Sequence, residues 1–248
     1  MKRRTLVAAL PAFALGAHVR AQAAAGTDAA SPADRRYVVM SLISNELTYV
    51  GAASMTTGTM LNHSRYTALP LTGAPFDRTA MEVLAGRVPR AEPGARLAFF
   101  DVTSPEAYAA QEEWFDGDKV TLPKSLRNAI SQEGASRLLL LTKIRRDARI
   151  GDGQNTVGVG RLSGLGIYKD RAVAMRRDGD STDYVLLAPF VYVRLSVIDI
   201  ASSMQIRHHD IESARPVYID NENAQFGELQ QLLIDGLETA VNDVFKSA

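Results

Sequence analysis

The hydrophobic positions in the first third of the chain predict three strands and one helix. Residues 37–44 form a nearly unbroken run of β-branched and apolar side chains, typical of a buried strand, and residues 47–50 continue it after a polar break. Residues 65–71 predict a short strand, and Pro70 places it at a sheet edge because proline has no N–H for a central ladder. Asp77 is an N-cap residue type, so a helix is expected from there to Ala85.

The middle of the chain alternates helices with strands. A strand is expected over residues 97–102, and the tripeptide 104–106 (Ser-Pro-Glu) is a strong helix start. Apolar residues at helical spacing predict a second helix over residues 122–133, with Gly134 as a left-handed cap. Residues 137–142 contain four consecutive leucines, which predict a central strand covered on both faces.

The last third of the chain is rich in strand patterns and ends in a helix. Residues 144–150 are expected to extend the leucine strand, and residues 184–200 are the longest strand candidate, with one buried and one partly wet face. After a turn at 201–203 the chain is again extended over residues 205–217. An apolar stripe at helical spacing predicts a closing helix over residues 222–245.

This order of elements predicts an α/β (α+β) fold. We expect a single mixed sheet with an antiparallel C-terminal meander, helices packed on that sheet, and a closing C-terminal helix.

The first 23 residues have the order of features found in a secretory signal peptide. Lys2, Arg3 and Arg4 are followed by an apolar stretch over residues 6–17 and then by small residues at Ala21 and Ala23, so cleavage is expected before Ala24. Residues 1–23 are therefore interpreted as the leader, 24–35 as a flexible lead-in and 36–248 as a single α/β domain. This organisation predicts a protein that is periplasmic or secreted.

Composition and charge narrow the range of partners. The 248 residues include 28 Lys and Arg, 28 Asp and Glu, and no Cys, an ordinary mixture for a folded protein and one that excludes a disulfide scaffold. The four basic residues of the leader have no acidic counterpart there, so the remaining chain carries a formal charge of −4. A mildly acidic exported chain is a poor nucleic-acid binder, and no apolar run after the leader is long enough for a transmembrane segment.

Two segments resemble a periplasmic domain of known type. Residues 129–141 are similar to the helix–Gly-Ala–strand unit shared by the curli secretion lipoprotein and the TolB amino-terminal domain. Residues 191–200, with 205–206, resemble the long strand, turn and returning strand of the same domains. The chain also resembles an uncharacterised exported family of Gram-negative bacteria. The resemblance implies an envelope binding or assembly module and brings no catalytic residues; the chain has no Cys to carry a lipid anchor.

The candidate chemical groups do not form a recognisable active site. His208 and His209 precede Asp210, but successive side chains of a strand point to opposite faces, so the two histidines cannot easily share one metal ion. The glycines of the 151–166 region have the wrong spacing for a dinucleotide loop, and bulges or close strand packing explain them better. No catalytic residue, cofactor or metal site is therefore assigned.

One basic run and one tryptophan are the candidate partner-binding residues. Lys143, Arg145, Arg146 and Arg149 form the densest basic stretch, which suits an anionic envelope partner, although the aspartates among them favour a mixed solvated surface. Trp114 is either a partner anchor or a cap on the core.

The sequence thus predicts an exported, soluble, non-enzymatic binding or assembly module of the cell envelope, whose partner is an envelope protein or a cell-wall or lipid component. The alternative is a periplasmic hydrolase-like enzyme with a site near residues 151–166 and His208/His209.

Overall fold

The computed structural model describes residues 35–51, 64–150, 160–170, 186–218 and 225–246. The predicted leader, the lead-in up to residue 34 and residues 151–159 of the glycine-rich region lie outside these ranges. The expectations for those segments therefore stay predictions.

The described residues form twelve strands and four α-helices. The strands are β1 (Arg36–Ser41), β2 (Glu46–Gly51), β3 (Arg65–Pro70), β4 (Arg96–Phe100), β5 (Phe115–Asp116), β6 (Lys119–Val120), β7 (Arg137–Lys143), β8 (Arg145–Asp147), β9 (Arg161–Asp170), β10 (Leu186–Asp199), β11 (Met204–Ala214) and β12 (Val217–Tyr218). The helices are α1 (Pro75–Ala91), α2 (Pro105–Ala110), α3 (Lys124–Gln132) and α4 (Gln225–Lys246), with a 3₁₀ turn over Gln111–Trp114. The predicted mixed α/β fold with a closing helix is confirmed.

Strand β10 joins two parts of the sheet. Along one of its sides, the first half pairs antiparallel with β9 and the second half with β7; along the other side it pairs with β11 and β12. β7 leads on to β1 and β4 through parallel pairing, while β9 leads on to β2 and β3. The sheet therefore has two arms on the same side of β10: β7–β1–β4, in which both pairings are parallel, and β9–β2–β3, in which one pairing is parallel and one antiparallel.

Two helical layers cover the parallel arm. α1 and α4 pack on the face that carries Val39, Leu139 and Val193, whereas α2, α3 and the 3₁₀ turn pack on the face that carries Val38 and Leu140. The four leucines of β7 are all fully buried, so the predicted central strand with two covered faces is confirmed. Its burial also explains the sequence pattern, because a strand covered on both sides needs no polar alternation.

Three expectations are corrected: the bounds of α1, the end of β7 and the burial of β10. Asp77 is not the N-cap of α1: the cap residue is Ala74, and α1 continues past Ala85 through Gly86 and Pro89. Residues 144–150 do not extend β7, because β7 ends at Lys143 and the following strand, β8, pairs antiparallel with β9 in a separate ladder. The second face of β10 is also more covered than expected, since Tyr192 and Ser196 are completely buried and Arg194 alone among the central positions keeps solvent contact.

A third hydrophobic cluster, separate from the two beneath the helical layers, explains why residues 144–150 leave β7. Ile144, Ala148 and Ile150 are buried against Phe190 and Tyr192 of β10. The Tyr192 hydroxyl accepts a hydrogen bond from the backbone N–H of Arg149 at 2.9 Å, which holds this segment over the sheet. The alternation of buried and exposed residues along it thus reflects a covering segment and not an extended central strand.

Gly166 is required by a close approach of three strands, and we expect Gly166→Ala to lower the free energy of unfolding by about 3 kcal/mol. A Cβ at this position would overlap the backbone carbonyl of Thr48 in β2 and the ring of Phe190 in β10. Gly86→Ala is the matched control: Gly86 lies in the exposed interior of α1 with nothing within 4 Å, so that change should stabilise the protein by about 0.5–1 kcal/mol. Urea unfolding of both variants checks the pair, and equal effects would refute the close approach.

A buried network beneath the parallel strands makes stability sensitive to alkali. The Tyr37 hydroxyl donates a hydrogen bond to the buried carboxylate of Glu92 and accepts one from Arg137 Nη1 at 2.8 Å. Burial, followed by the bond to Glu92, raises the pKa of Tyr37 to about 12. The folded protein thus keeps this phenol proton at pH values where the unfolded chain, with a pKa near 10, has lost it.

We therefore expect the free energy of unfolding to fall by about 2 kcal/mol between pH 10 and pH 12 through Tyr37 alone. Urea unfolding at half-unit pH steps measures the slope, and Tyr37→Phe should make it shallower because the titrating phenol is gone. Tyr108 and Tyr192, whose pKa values are also raised by burial, titrate in both proteins and cancel in the comparison. Identical slopes in the two proteins would contradict this assignment.

Candidate functional site

Strand β3 is an open edge of the sheet in the described part of the chain. It is the last strand of its arm, and β2 is the one strand it pairs with there. All six of its residues are exposed, including Tyr66 and Leu69, whose side chains are 46% and 47% accessible to solvent. Both faces of β3 therefore lie outside the helical layers, and the strand contributes little to the core.

The register of β2 and β3 shows which backbone groups of β3 are directed outward. The N–H of Leu71 donates to the carbonyl of Asn45 at 3.0 Å, and hydrogen-bonded positions alternate along an antiparallel pair. Residues 65, 67 and 69 therefore direct their N–H and C=O groups toward β2, whereas residues 66, 68 and 70 direct theirs away from it. Pro70 occupies an outward position, where its missing N–H breaks no bond to β2. The sequence prediction of an edge strand at Pro70 is confirmed.

The other open edges of the described sheet are less suited to pairing with a further strand. β11 pairs with β6 only at Met204, but its register shifts at a bulge near Ile206, and Arg207, Asp210 and Glu212 follow. β4 pairs only with β1, and most of its side chains are half-buried under the helices. Bulges and charged residues protect sheet edges against added strands. β3 has no bulge and a single charged residue, Arg65.

The sequence did not single out β3 as a functional element. Its alternation of polar and apolar residues is ordinary for a half-buried strand, and exposure on both faces depends on where α1 and α4 lie. Pro70 was the one usable signal, because an edge strand is where an added strand can bind.

The structure divides the predicted basic run. The Lys143 ammonium is largely buried and lies 3.0 Å from Glu46 Oε1. Arg146 Nη2 lies 2.8 Å from Asp210 Oδ2, and its Nε lies 3.4 Å from Glu212 Oε1. These two charges are neutralised within the chain, which favours the mixed charged surface over a four-residue basic one. Arg145 and Arg149 are exposed, and partner binding by them stays a prediction.

Trp114 is a core residue. It is 6% exposed and packs with Val120, Leu126 and other residues of the layer formed by α2 and α3. The ring has almost no free surface, which favours the interpretation as a cap on the core, and partner binding by Trp114 stays a prediction. The position at the end of a short amphipathic helix allowed both interpretations, and only the packing of α3 decides between them.

His208 and His209 lie on opposite faces of β11, as the strand geometry predicted. His209 Nδ1 is 3.1 Å from Asp243 Oδ2 of α4, and His208 Nδ1 is 2.9 Å from the side-chain amide of Gln205 on the other face. His63 lies outside the described residues. The two described histidines thus have different protein partners and do not converge on one site.

Asp210 links the two sequence candidates. Its carboxylate binds Arg194 through both oxygens, at 2.5 Å and 2.8 Å, and also Arg146. Burial would raise the pKa of Asp210, but the hydrogen bonds and charges of Arg194 and Arg146 outweigh it and lower that pKa. The structure therefore brings the basic run and the histidine-bearing strand together in one self-neutralised ion cluster.

The glycines of the described part of the 151–166 region pack strands closely together. Gly164 has a positive φ of 67° and lies against the aliphatic stem of Lys143, at the point where β9 and β7 meet along β10. Gly166 packs between β2 and β10, as described above. These contacts support the interpretation of the glycines as close-packing positions.

The carboxyl ends of the parallel strands, where α/β proteins often bind ligands, are filled by a polar network. The buried carboxylate of Asp77 accepts hydrogen bonds from Ser41 Oγ at 2.5 Å, from the N–H of Ile43 at 3.0 Å and from the Tyr108 hydroxyl at 2.6 Å. Gln111 completes the network, donating to the Leu42 carbonyl and accepting from the N–H of Lys143. This network joins β1, α1, α2 and β7.

The described residues hold neither a cluster of metal ligands nor a membrane-spanning helix. No group of three or more His, Asp or Glu residues in those ranges could hold a metal ion. No helix in those ranges is both long enough and apolar enough to cross a membrane.

The comparisons with known proteins give distant structural likenesses only. The sequence matches no family profile and no curated protein. A homologue of the neuraminyllactose-binding hemagglutinin from Helicobacter pylori shares 9% identity over 89% of this chain and 91% of its own, with a TM-score of 0.37. A Xanthomonas campestris protein of the DUF330 family shares 12% identity over 88% of this chain and 89% of its own, also at 0.37. The PelC dodecamer from Paraburkholderia phytofirmans shares 8% identity over 86% and 87%, at 0.30.

Proposed function

We propose that this protein is an exported, non-enzymatic binding or assembly module of the cell envelope, and that it binds its partner along the open edge of β3. The observation that carries the proposal is the exposure of all six β3 residues together with an outer edge that no other described strand occupies. An extended segment added there would gain main-chain hydrogen bonds and contact with Tyr66 and Leu69. The partner is thus a protein segment, because a lipid or a wall polymer lacks the regular row of main-chain N–H and C=O groups that pairs with a strand edge.

The proposal includes export. Its support is the order of basic, apolar and small residues in positions 1–23, with cleavage before Ala24. Mass spectrometry of the protein isolated from the periplasm or medium should find Ala24 as the first residue. Recovery of peptides from residues 2–20 in the mature protein would refute the export step without affecting the edge.

The proposal also retains the likeness to the periplasmic domain of the curli secretion lipoprotein and TolB. Two observed units support it: α3, Gly134 and β7 in succession, and β10 followed by the turn at 200–203 and β11. Gly134 has a φ of 66°, which is the left-handed conformation that lets the chain leave α3 for a buried strand.

The test of the edge uses a proline at an outward position. Ala68→Pro removes the N–H of residue 68, which is directed away from β2, so β2–β3 pairing should survive while strand addition is blocked. We expect in-cell cross-linking from a photoreactive residue at position 69 to fall at least ten-fold, with an unchanged melting temperature. Ala68→Thr keeps the N–H and should keep the cross-link. Equal cross-linking by the proline and threonine variants would contradict the proposed binding edge.

A further inference from the structure

We propose that the segment bound at the β3 edge is β3 of a second copy of this chain, paired antiparallel about a two-fold axis at Thr67. This inference rests on the proposed binding function of the edge and names its occupant. It follows from the register, the charge and the side chains of the strand itself.

The outward backbone groups of β3 are self-complementary in this register. When Thr67 faces Thr67 of the second copy, residue 68 faces residue 66. The Ala68 N–H then donates to the carbonyl of residue 66 in the second copy, and the symmetry repeats the bond. A two-fold axis at Ala68 would place Pro70 opposite residue 66, where proline has no N–H to donate to the facing carbonyl. The axis at Thr67 moves the prolines to the ends of the pair.

The charges of β3 permit this pairing. Arg65 is the one charged residue of the strand, and the proposed register places it opposite Leu69 of the second copy. The two Arg65 residues are then four strand positions apart, about 13 Å, which exceeds the screening length of about 8 Å at physiological ionic strength, so their repulsion is largely screened. The stem of Arg65 covers Leu69, and Tyr66 packs beside Ala68, so the exposed apolar side chains of both copies become covered.

The other described edges are worse partners for β3. Pairing β3 with β11 of a second copy would place it against a bulge and the charged run from Arg207 to Glu212. Such head-to-tail contact also does not close and would extend into a filament, whereas β3–β3 pairing closes as a dimer. Self-pairing is therefore the arrangement that covers the exposed apolar side chains of β3 and leaves neither copy with an unpaired β3 edge.

The interface is small, so the dimer should be weak and reversible. One strand of six residues buries less than the roughly 1,000 Å² expected of a stable association. Sedimentation velocity of the unsubstituted protein should therefore show a concentration-dependent shift from monomer toward dimer at micromolar to millimolar concentrations. Ala68→Pro should stay monomeric over the same range.

The decisive experiment uses the absence of cysteine from this chain. In the proposed register Thr67 and its copy form a non-hydrogen-bonded pair, with Cα atoms about 4.5 Å apart, a separation that allows a disulfide. Thr67→Cys should therefore form a disulfide dimer under mild oxidation. Leu69→Cys, on the same strand and face, is the matched control, because its two sulfurs would be far beyond bonding distance.

We expect Thr67→Cys to form the dimer at least ten-fold faster than Leu69→Cys, and Ala68→Pro added to Thr67→Cys to abolish that difference. Equal rates for the two cysteine variants, or no dimer from either together with a monomeric unsubstituted protein, would overturn the proposal. If in-cell cross-linking at the edge still depended on the residue 68 N–H in that case, the binding edge would stand and the second copy would be excluded. If it did not, both proposals would fail.

Discussion

Replacing Leu139 with aspartate is expected to lower the free energy of unfolding by about 5 kcal/mol or more, enough to unfold most of the protein at room temperature. Leu139 is fully buried at the centre of β7, between Val39 of β1 and Val197 of β10. These neighbours are apolar, so a carboxylate there would find neither a positive charge nor a hydrogen-bond donor from a side chain.

Circular dichroism and urea unfolding of the purified Leu139→Asp variant measure the effect. Ile206→Asp is the control, because Ile206 is an apolar strand residue of the same sheet that is 44% exposed. A change there should cost less than about 1 kcal/mol. A folded Leu139→Asp protein with a normal melting temperature would show that β7 is not the central strand.

Removal of the Asp77 carboxylate is the second large effect, with an expected loss of about 3–5 kcal/mol for Asp77→Ala. The carboxylate is the acceptor for the Ser41 hydroxyl, the Ile43 N–H and the Tyr108 hydroxyl, and all three donors are buried. Without the carboxylate these three donors would be buried with no shared acceptor, and an unsatisfied buried donor destabilises the folded state. The same substitution should loosen the contact between α1 and α2, because Asp77 joins them.

Hydrogen exchange and urea unfolding test this expectation. Asp77→Asn should cost less than Asp77→Ala, since the amide keeps one acceptor oxygen. Asp101→Ala is the external control: Asp101 follows β4 at the same end of the parallel strands but is exposed, so its loss should change stability little. Equal losses from Asp77→Ala and Asp101→Ala would mean that the network does not hold the helices.

The elements that the sequence predicted correctly are those whose pattern is decided locally. The four leucines of β7, the left-handed Gly134 after α3 and the apolar stripe of α4 each carry their own signal, and each matches the structure. Phe226 is the one stripe residue that stays about half exposed, and even its ring lies 4.9 Å from that of Phe76.

The expectations that failed depend on contacts distant in sequence. Asp77 is a common N-cap residue type, but it lies in the first turn of α1. There its carboxylate accepts hydrogen bonds from Ser41 and Tyr108, which are more than thirty residues away in sequence. In the sequence Lys143 belongs to a basic run, but in the fold its charge is paired with the carboxylate of Glu46. A single sequence cannot rank such pairs, because charge and residue type are the same whether the partner is water or a distant carboxylate.

The candidate binding edge illustrates the same limit. Nothing in residues 65–70 separates an exposed edge from a covered one except Pro70. The difference lies in the extent of the helical layers, which cover Leu47 of β2 and contact Leu71 just after β3, but leave all six residues of β3 exposed.

The position of β10 in both the sheet and the sequence has a consequence for the order of folding. β7 is complete at residue 143 and can pair with β1, but its other edge stays open until residues 193–199 have been made. During synthesis, some fifty further residues must therefore be added before β10 can pair with the open edge of the four-leucine strand. β9 also lacks its β10 partner until then. The last strand pairings thus convert two unfinished arms into one cooperative unit.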